Sequence, residues 1–292
     1  MTPSKLLQSE PMSRGFDWGD ARADAEPDWV TGTIEDRLVA KAVQQILIPE
    51  QKPFDKYYHP SRIYDMCPVC EYYVRRDKPI IVDEPELRMS GMAAAGTRAH
   101  HYFQDCVLGP AGLLKGLWRC KICNRLHSST PSLYPRTHCS GSCDCNEYRY
   151  VEPSLRDEEH LIIGHTDGIV PFEGEDYLLE AKSKSAKAYP EYNKPSKKER
   201  LQASLYMDIA GVERCIYMFI CRDDYAFKFV IGEKDQGLVD EAHNSIASIE
   251  EALVAGEVTS ALKVFKRCAS TGAARFKKCP FREECKRTCF GK

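Results

Sequence analysis

The chain has 292 residues, 41 of them basic and 43 acidic, with 43% hydrophobic and 29% charged residues. That content buries a sizeable core and excludes collagen-like, low-complexity and wholly disordered classes. A formal charge of -2 excludes a histone-like coat for nucleic acid, and no apolar run approaches the roughly 18 residues that would span a bilayer.

From Met1 to Gly19 the chain mixes Lys5, Glu10, Pro11, Arg14 and Asp17, which is not the apolar stretch of a secretory signal. The expectation is a cytoplasmic protein with no membrane contact. Residues 1–30 read as a flexible arm. Ile34, Leu38, Val39, Ala42, Val43, Ile46 and Leu47 recur at helical spacing, with Thr33 as N-cap, so a helix is expected from Ile34 to Ile48. A second is expected from Met92 to Val107, with Ala95, Ala99, Tyr102, Phe103 and Cys106 on one stripe. Between Gly109 and Glu147 the residues turn to Cys, Gly, Ser and Pro, the mark of an insertion held by something other than a core. Strands follow at Arg149 to Glu152, His160 to Val170 and Tyr177 to Ala181, the last two joined at Glu173-Gly174-Glu175-Asp176. Then come a helix from Ser196 to Ala210, strands at Cys215 to Cys221 and Ala226 to Ile231, and a helix from Gln236 to Ala255. This order fits an α/β domain with a central mixed β-sheet flanked by helices.

Asp167 ends an apolar strand, and Glu180-Ala181-Lys182 ends the next. Strand alternation puts Glu180 and Lys182 on one face and Ala181 on the other. If Asp167 points to that face, two carboxylates meet beside an ammonium. Such a set suits Mg²⁺ or Mn²⁺, which polarises a phosphodiester and activates water. Upstream lies Gly96-Thr97-Arg98-Ala99-His100; downstream, Gln202 and Tyr206 stand one helical turn apart.

Gly-Thr-x-x-His, Gly-x-x-Asp, Glu-x-Lys and Gln-x-x-x-Tyr, in this order, resemble the RecB-type branch of the PD-(D/E)XK nuclease superfamily. The resemblance runs from about Arg62 to Ile231. It implies a restriction-endonuclease-like core, in which His100, Asp167, Glu180 and the carbonyl of Ala181 bind the catalytic metal. Lys182 assists the attacking water, Gln202 and Tyr206 orient DNA and the lysine, and Glu152 supports substrate binding. Relatives often carry Arg or Lys before an apolar residue and the Asp, whereas this chain has His165-Thr166-Asp167. His101 reads as a structural neighbour of His100.

Cys120-x2-Cys123-x15-Cys139-x3-Cys143-x-Cys145 has the spacing of a zinc ribbon, and zinc would supply folding free energy to so apolar-poor a loop. Cys139 and Cys143 are favoured for the last two places, with Cys145 as substitute and His127 and His138 ranked behind. Cys67-x2-Cys70 and Cys279-x5-Cys285-x3-Cys289 resemble the iron-sulfur members of the family, among them AddAB-type and CRISPR-adaptation nucleases. The resemblance implies a structural [4Fe-4S] cluster on Cys67, Cys279, Cys285 and Cys289, with zinc the alternative and Cys70 and Cys268 as rival ligands. Cys106, Cys215 and Cys221 read as core thiols. Lys182, Lys184, Lys187, Lys194, Lys197, Lys198 and Arg200 crowd one stretch, with Tyr189 and Tyr192 for base stacking.

These readings divide the chain into the arm (1–30), an N-terminal helical part (31–108), a zinc-ribbon-like insertion (109–147), the nuclease core (148–265) and a cysteine-rich tail (266–292). The expected function is a DNA exonuclease of recombination, repair or phage DNA metabolism, acting on ends or single strands. No nucleotide-binding Gly-x-x-x-x-Gly-Lys-[Ser/Thr] loop is present, so unwinding would fall to a helicase or recombination partner. A CRISPR-adaptation-like trimming nuclease and a non-catalytic DNA-binding scaffold are the alternatives.

Overall fold

The computed structural model describes residues 56–76, 87–139 and 143–291; the arm and the helix expected at Ile34 to Ile48 lie outside the described residues. Among the described residues eight strands form in chain order: β1 (Leu117–Cys120), β2 (Tyr148–Val151), β3 (Ser154–Asp157), β4 (Ile162–His165), β5 (Gly168–Phe172), β6 (Glu175–Lys184), β7 (Arg214–Cys221) and β8 (Phe227–Glu233). Four of them make a mixed sheet in the order β5-β6-β7-β8, with β6 and β7 parallel and the outer pairs antiparallel. The parallel step requires a crossover. The helix Lys197–Ala210 provides it, begun by a reciprocal cap between Ser196 and Glu199 and ended by Gly211 at φ 70°.

Side-chain alternation along β6 divides the interior. Leu179 and Ala181 join Met218, Ile220, Ala99 and Phe103 on one face, under the helix Leu87–Tyr102. Leu178 joins Tyr217, Phe219, Ala203, Tyr206 and Met207 on the other, under the crossover helix. The sheet therefore lies between helices, as the α/β reading expects. A third cluster packs Pro68–Arg75, the long helix Gln236–Ala255 and the helix Arg282–Cys289 together. Among the described residues no helix is long and apolar enough to cross a membrane.

Several elements differ from the sequence reading, each for a local reason. The single strand expected from His160 to Val170 is two, because the chain turns out of one sheet and into another at Thr166-Asp167. Thr166 is fully buried there, and its hydroxyl donates to the carbonyls of Leu179 and Gly168 at 3.1 and 3.3 Å. β4 pairs with β3, a strand the periodicity did not reveal, while β5 pairs with β6. The β5–β6 turn tightens to Glu173-Gly174 with φ of 51° and 84°, leaving Glu175 and Asp176 inside β6. The helix expected from Met92 begins at Leu87, and Phe103–Leu108 widens into a π-helix. The buried stripe is narrower than expected: Ala99 and Phe103 are buried, whereas Ala95, Tyr102 and, within the widened segment, Cys106 are exposed. Cys106 is thus not a core thiol, while Cys215 and Cys221 are buried.

Candidate active site

Register brings the two acids together. Gly168 pairs with Leu179, so Asp167 falls just beyond the end of β5, opposite Glu180. Asp167 Oδ2 takes the edge hydrogen bond that β5 has left open, accepting from the Ala181 N–H at 2.6 Å. A strand residue's N–H and C=O face the same neighbour, so the Ala181 carbonyl faces the Asp167 side. Glu180 is 1% exposed and ion-paired with Lys182. Lys182 Nζ also donates to Gln202 Oε1 at 3.3 Å, and the Gln202 amide in turn bonds Tyr206. From the opposite side of the sheet, His100 brings Nδ1 to 3.6 Å from Asp167 Oδ1. Gly96 allows that approach: a Cβ there would lie 2.8 Å from Ser183 Oγ of β6.

His100, Asp167, Glu180, Lys182, Gln202 and Tyr206 therefore share one locus reached from two helices, β6 and the turn before β5. Two residues that the sequence reading missed complete its support. Thr166 fixes the turn, and Gln104, itself buried, donates from Nε2 to Glu152 Oε1 at 3.0 Å and to the Asp167 carbonyl at 2.9 Å. The signal for Gln104 was its spacing, four residues after His100 on one helical face. His101 and His165 are exposed.

The charges are unbalanced. Burial raises the Glu180 carboxyl to about 7, with the Asp167 carboxylate adding to the rise and Lys182 opposing it. Burial also opposes ionisation of Asp167, yet His100 and Lys182 hold that carboxyl below its ordinary value. Burial would lower His100, but Asp167 raises it on balance; Lys182 is likewise raised by Glu180 and Asp167 against burial. His100 Nε2 is buried without a hydrogen-bond partner. Two crowded carboxyls and an orphaned imidazole nitrogen are a donor set that fits a divalent cation.

The cysteine-rich insertion gathers Cys120, Cys123, Cys139 and Cys143, their sulfurs all within 4.8 Å of one another. Cys120 to Cys143 and Cys123 to Cys139 are each 3.5 Å. Backbone N–H groups of Cys123 and Ile122 lower the Cys120 thiol to about 6. Four converging thiols are a fit for one tetrahedral ion. Cys145 stands outside the set: its Sγ bonds the Glu147 backbone, N–H and carbonyl, at 3.3 Å, and its own carbonyl accepts from Cys139 N–H. It braces the knuckle's backbone, and neither His127 nor His138 joins the four.

At the other end of the fold Cys70 Sγ lies 3.3 Å from Cys279 Sγ, Cys67 hydrogen-bonds Cys70, and Cys285 hydrogen-bonds Cys289. The hydrogen bond to Cys289 and burial push the Cys285 thiol up, with Cys67 and Cys279 adding to the rise, and burial followed by the same two thiols raises Cys268. Six thiols thus share this locus, although Cys67, Cys279, Cys285 and Cys289 do not converge as tightly as the insertion's four. A polynuclear cluster holds its thiolates farther apart than one ion does.

Asp157, His160 and His243 also bring ligand atoms within 4.8 Å. The two imidazoles stack at 3.6 Å with planes 6° apart. A nitrogen lone pair lies in its ring plane, so parallel stacked rings cannot both aim at one ion. This group acts instead on stability. Burial lowers His243, with His160 adding to the effect. A base depressed in the folded state binds fewer protons there than in the unfolded chain, so stability falls as pH drops below the ordinary value of 6.5. His243→Phe, which keeps the stack, is expected to lose less stability than the parent between about pH 7.5 and about pH 5.5, read from urea midpoints.

The basic stretch is largely neutralised within the fold. Lys184 pairs with Glu199 at 2.7 Å, Lys197 with Glu241 at 3.1 Å, Arg200 with Asp235 at 3.3 Å, and Lys198 with Asp65. Tyr192 lies under Lys184 and against Phe219, and Tyr189 lies under Lys228, so a cation already covers a face of each ring.

No protein-family model and no curated protein matches the chain. Among solved structures, SSO0001 aligns over 88% of this chain and 98% of its own at 15% identity, with a TM-score of 0.37. An alkaline exonuclease from Laribacter hongkongensis, LHK-Exo, aligns over 69% and 89% at 15% identity and a TM-score of 0.41. The same enzyme in complex with dAMP gives 69% and 89%, 14% and 0.40. None of these likenesses is close enough to define a family.

Proposed function

We propose that the chain is a divalent-metal-dependent DNA nuclease that hydrolyses phosphodiester bonds, acting as an exonuclease in recombination, repair or phage DNA metabolism. The observation that carries this reading is the Asp167–Glu180–Lys182 constellation, its Glu180 buried, with the orphaned His100 Nε2 beside it. Structural carboxylates at strand ends are solvated, whereas Glu180 is held out of water beside Asp167, at a cost in stability that a functional site explains.

His100, Asp167, Glu180 and the carbonyl of Ala181 would hold Mg²⁺ or Mn²⁺. The bound ion supplies Lewis-acid polarisation of the phosphodiester and a lowered pKa for water. Lys182 stands where an ammonium can orient that water and offset charge on the phosphate, and Gln202 fixes the lysine by accepting its hydrogen bond at 3.3 Å. Tyr206 anchors Gln202. Water's oxygen bonds phosphorus as the ester P–O bond breaks, leaving a phosphate monoester and a free hydroxyl. Zinc on Cys120, Cys123, Cys139 and Cys143, and a [4Fe-4S] cluster or zinc among the thiols around Cys67, Cys279, Cys285 and Cys289, are assigned structural roles.

The test is cleavage of end-labelled single- and double-stranded linear DNA and of a covalently closed circle, with Mn²⁺ and with EDTA. Linear DNA is expected to be degraded from its ends with Mn²⁺ only, the circle surviving. Binding without cleavage on every substrate would replace this reading with a DNA-binding scaffold.

A further inference from the structure

We propose that Gln104 is a positioning residue of the acidic site, which sets Asp167 and Glu152 for cation binding from a widened turn of the His100 helix. The inference rests on the proposed cation site and adds a residue to it. Gln104 is 3% exposed, and a buried amide is costly unless bonded. Its Nε2 donates to two chain segments at once: Glu152 Oε1 at 3.0 Å and the Asp167 carbonyl at 2.9 Å. His100, one turn earlier, approaches the Asp167 carboxylate at 3.6 Å. The helix thus grips Asp167 twice, by side chain and by main chain.

The backbone is shaped for this grip. The Gln104 carbonyl accepts from Gly109 N–H at 3.0 Å, five residues on, which defines the π-turn. A side chain at Gly109 would meet that carbonyl at 2.7 Å and the Trp118 ring at 2.6 Å, so glycine is required where the turn closes. Such turns give up helical regularity and recur at functional sites. The next residue, Asp105, does a separate job, accepting from Tyr150 N–H at 2.7 Å and fixing β2. The turn therefore has one residue directed at the acids and one at the scaffold.

Outer partners of metal ligands typically change affinity by 10–100-fold. Gln104→Met, which keeps volume and removes both donors, is expected to weaken Mn²⁺ binding roughly tenfold, measured by calorimetry and by Mn²⁺ electron paramagnetic resonance below the melting temperature of every variant. The Mn²⁺ concentration for half-maximal cleavage should rise by the same factor, with kcat recovered at saturation. Asp105→Ala should lower Tm with Mn²⁺ affinity unchanged. Parent-like affinity in Gln104→Met, whatever its Tm, overturns the proposal, as does an equal loss in Asp105→Ala. If the parent binds Mn²⁺ but cleaves nothing, the nuclease reading fails while the binding comparison still decides Gln104; if the parent binds no Mn²⁺, both fall.

Discussion

Glu180→Gln is expected to abolish Mn²⁺-dependent DNA cleavage while leaving the fold as stable as the parent or more so. Glutamine is nearly isosteric and uncharged, so it removes the burial penalty that lifts the Glu180 carboxyl to about 7 and relieves the crowding with Asp167. A residue that stabilises the protein when neutralised is held there at a cost, which is the signature of a functional site. The same change removes an anionic donor from the cation site, while Lys182 keeps the Asp167 carboxylate as counter-charge. Losing several kcal/mol of transition-state stabilisation corresponds to a rate loss of about a thousandfold or more. Single-turnover cleavage of linear DNA checks the first half and thermal melting the second. Asp167→Asn should match it in rate; cleavage within tenfold of the parent by either variant would exclude these acids from the chemistry.

The second large effect belongs to the thiol knuckle. Purified protein is expected to carry one zinc at Cys120, Cys123, Cys139 and Cys143, and Cys123→Ser is expected to lose it. The segment buries only a few apolar groups, among them Leu114, Trp118 and Tyr148, and Trp118 packs edge-on to Tyr134 and Tyr150 at 4.9 and 5.0 Å. Zinc binding to such small folds contributes about 10–16 kcal/mol, so losing a thiolate exceeds what those side chains offset. Melting should shift down on the order of 10 °C, because β1 would no longer be held for pairing with β2. Cys145→Ser is the discriminating control: its sulfur bonds the Glu147 backbone, so zinc content should stay at one equivalent. Metal analysis reads both. Retention of zinc by Cys123→Ser would break the four-thiol assignment.

What the sequence made legible is what depends on period and order. The mixed sheet between helices follows from apolar runs at β6 and β7 and an amphipathic segment between them, and the helix Gln236–Ala255 has the boundaries its periodicity predicts. The knuckle's four thiols are legible because metal spacing is local. Less so was anything set by a single backbone event. The change of sheet at Thr166 leaves the run from His160 to Val170 looking continuous, since both halves are apolar. The π-turn adds one residue of phase before Cys106, which is exposed, and no composition signal marks it. Partners of lysines were also beyond reach: Glu199, Glu241, Asp235 and Asp65 neutralise their cations across 15 to 133 positions.

The six-thiol end of the fold has a consequence for the order of assembly. Cys70 meets Cys279 across 209 positions, and the Tyr73 hydroxyl meets that of Thr288 across 215. Phe281 lies 5.5 Å from Tyr73 as well. During synthesis, Pro68–Arg75 leaves the ribosome long before the segment that covers it exists. Its apolar face, with Val69, Tyr72 and Tyr73, must wait in a half-formed state while the sheet completes. That interval is when chaperones would bind and when stray pairing of Cys67 and Cys70 would trap the chain, so yield should depend on conditions during translation more than on the finished protein's stability.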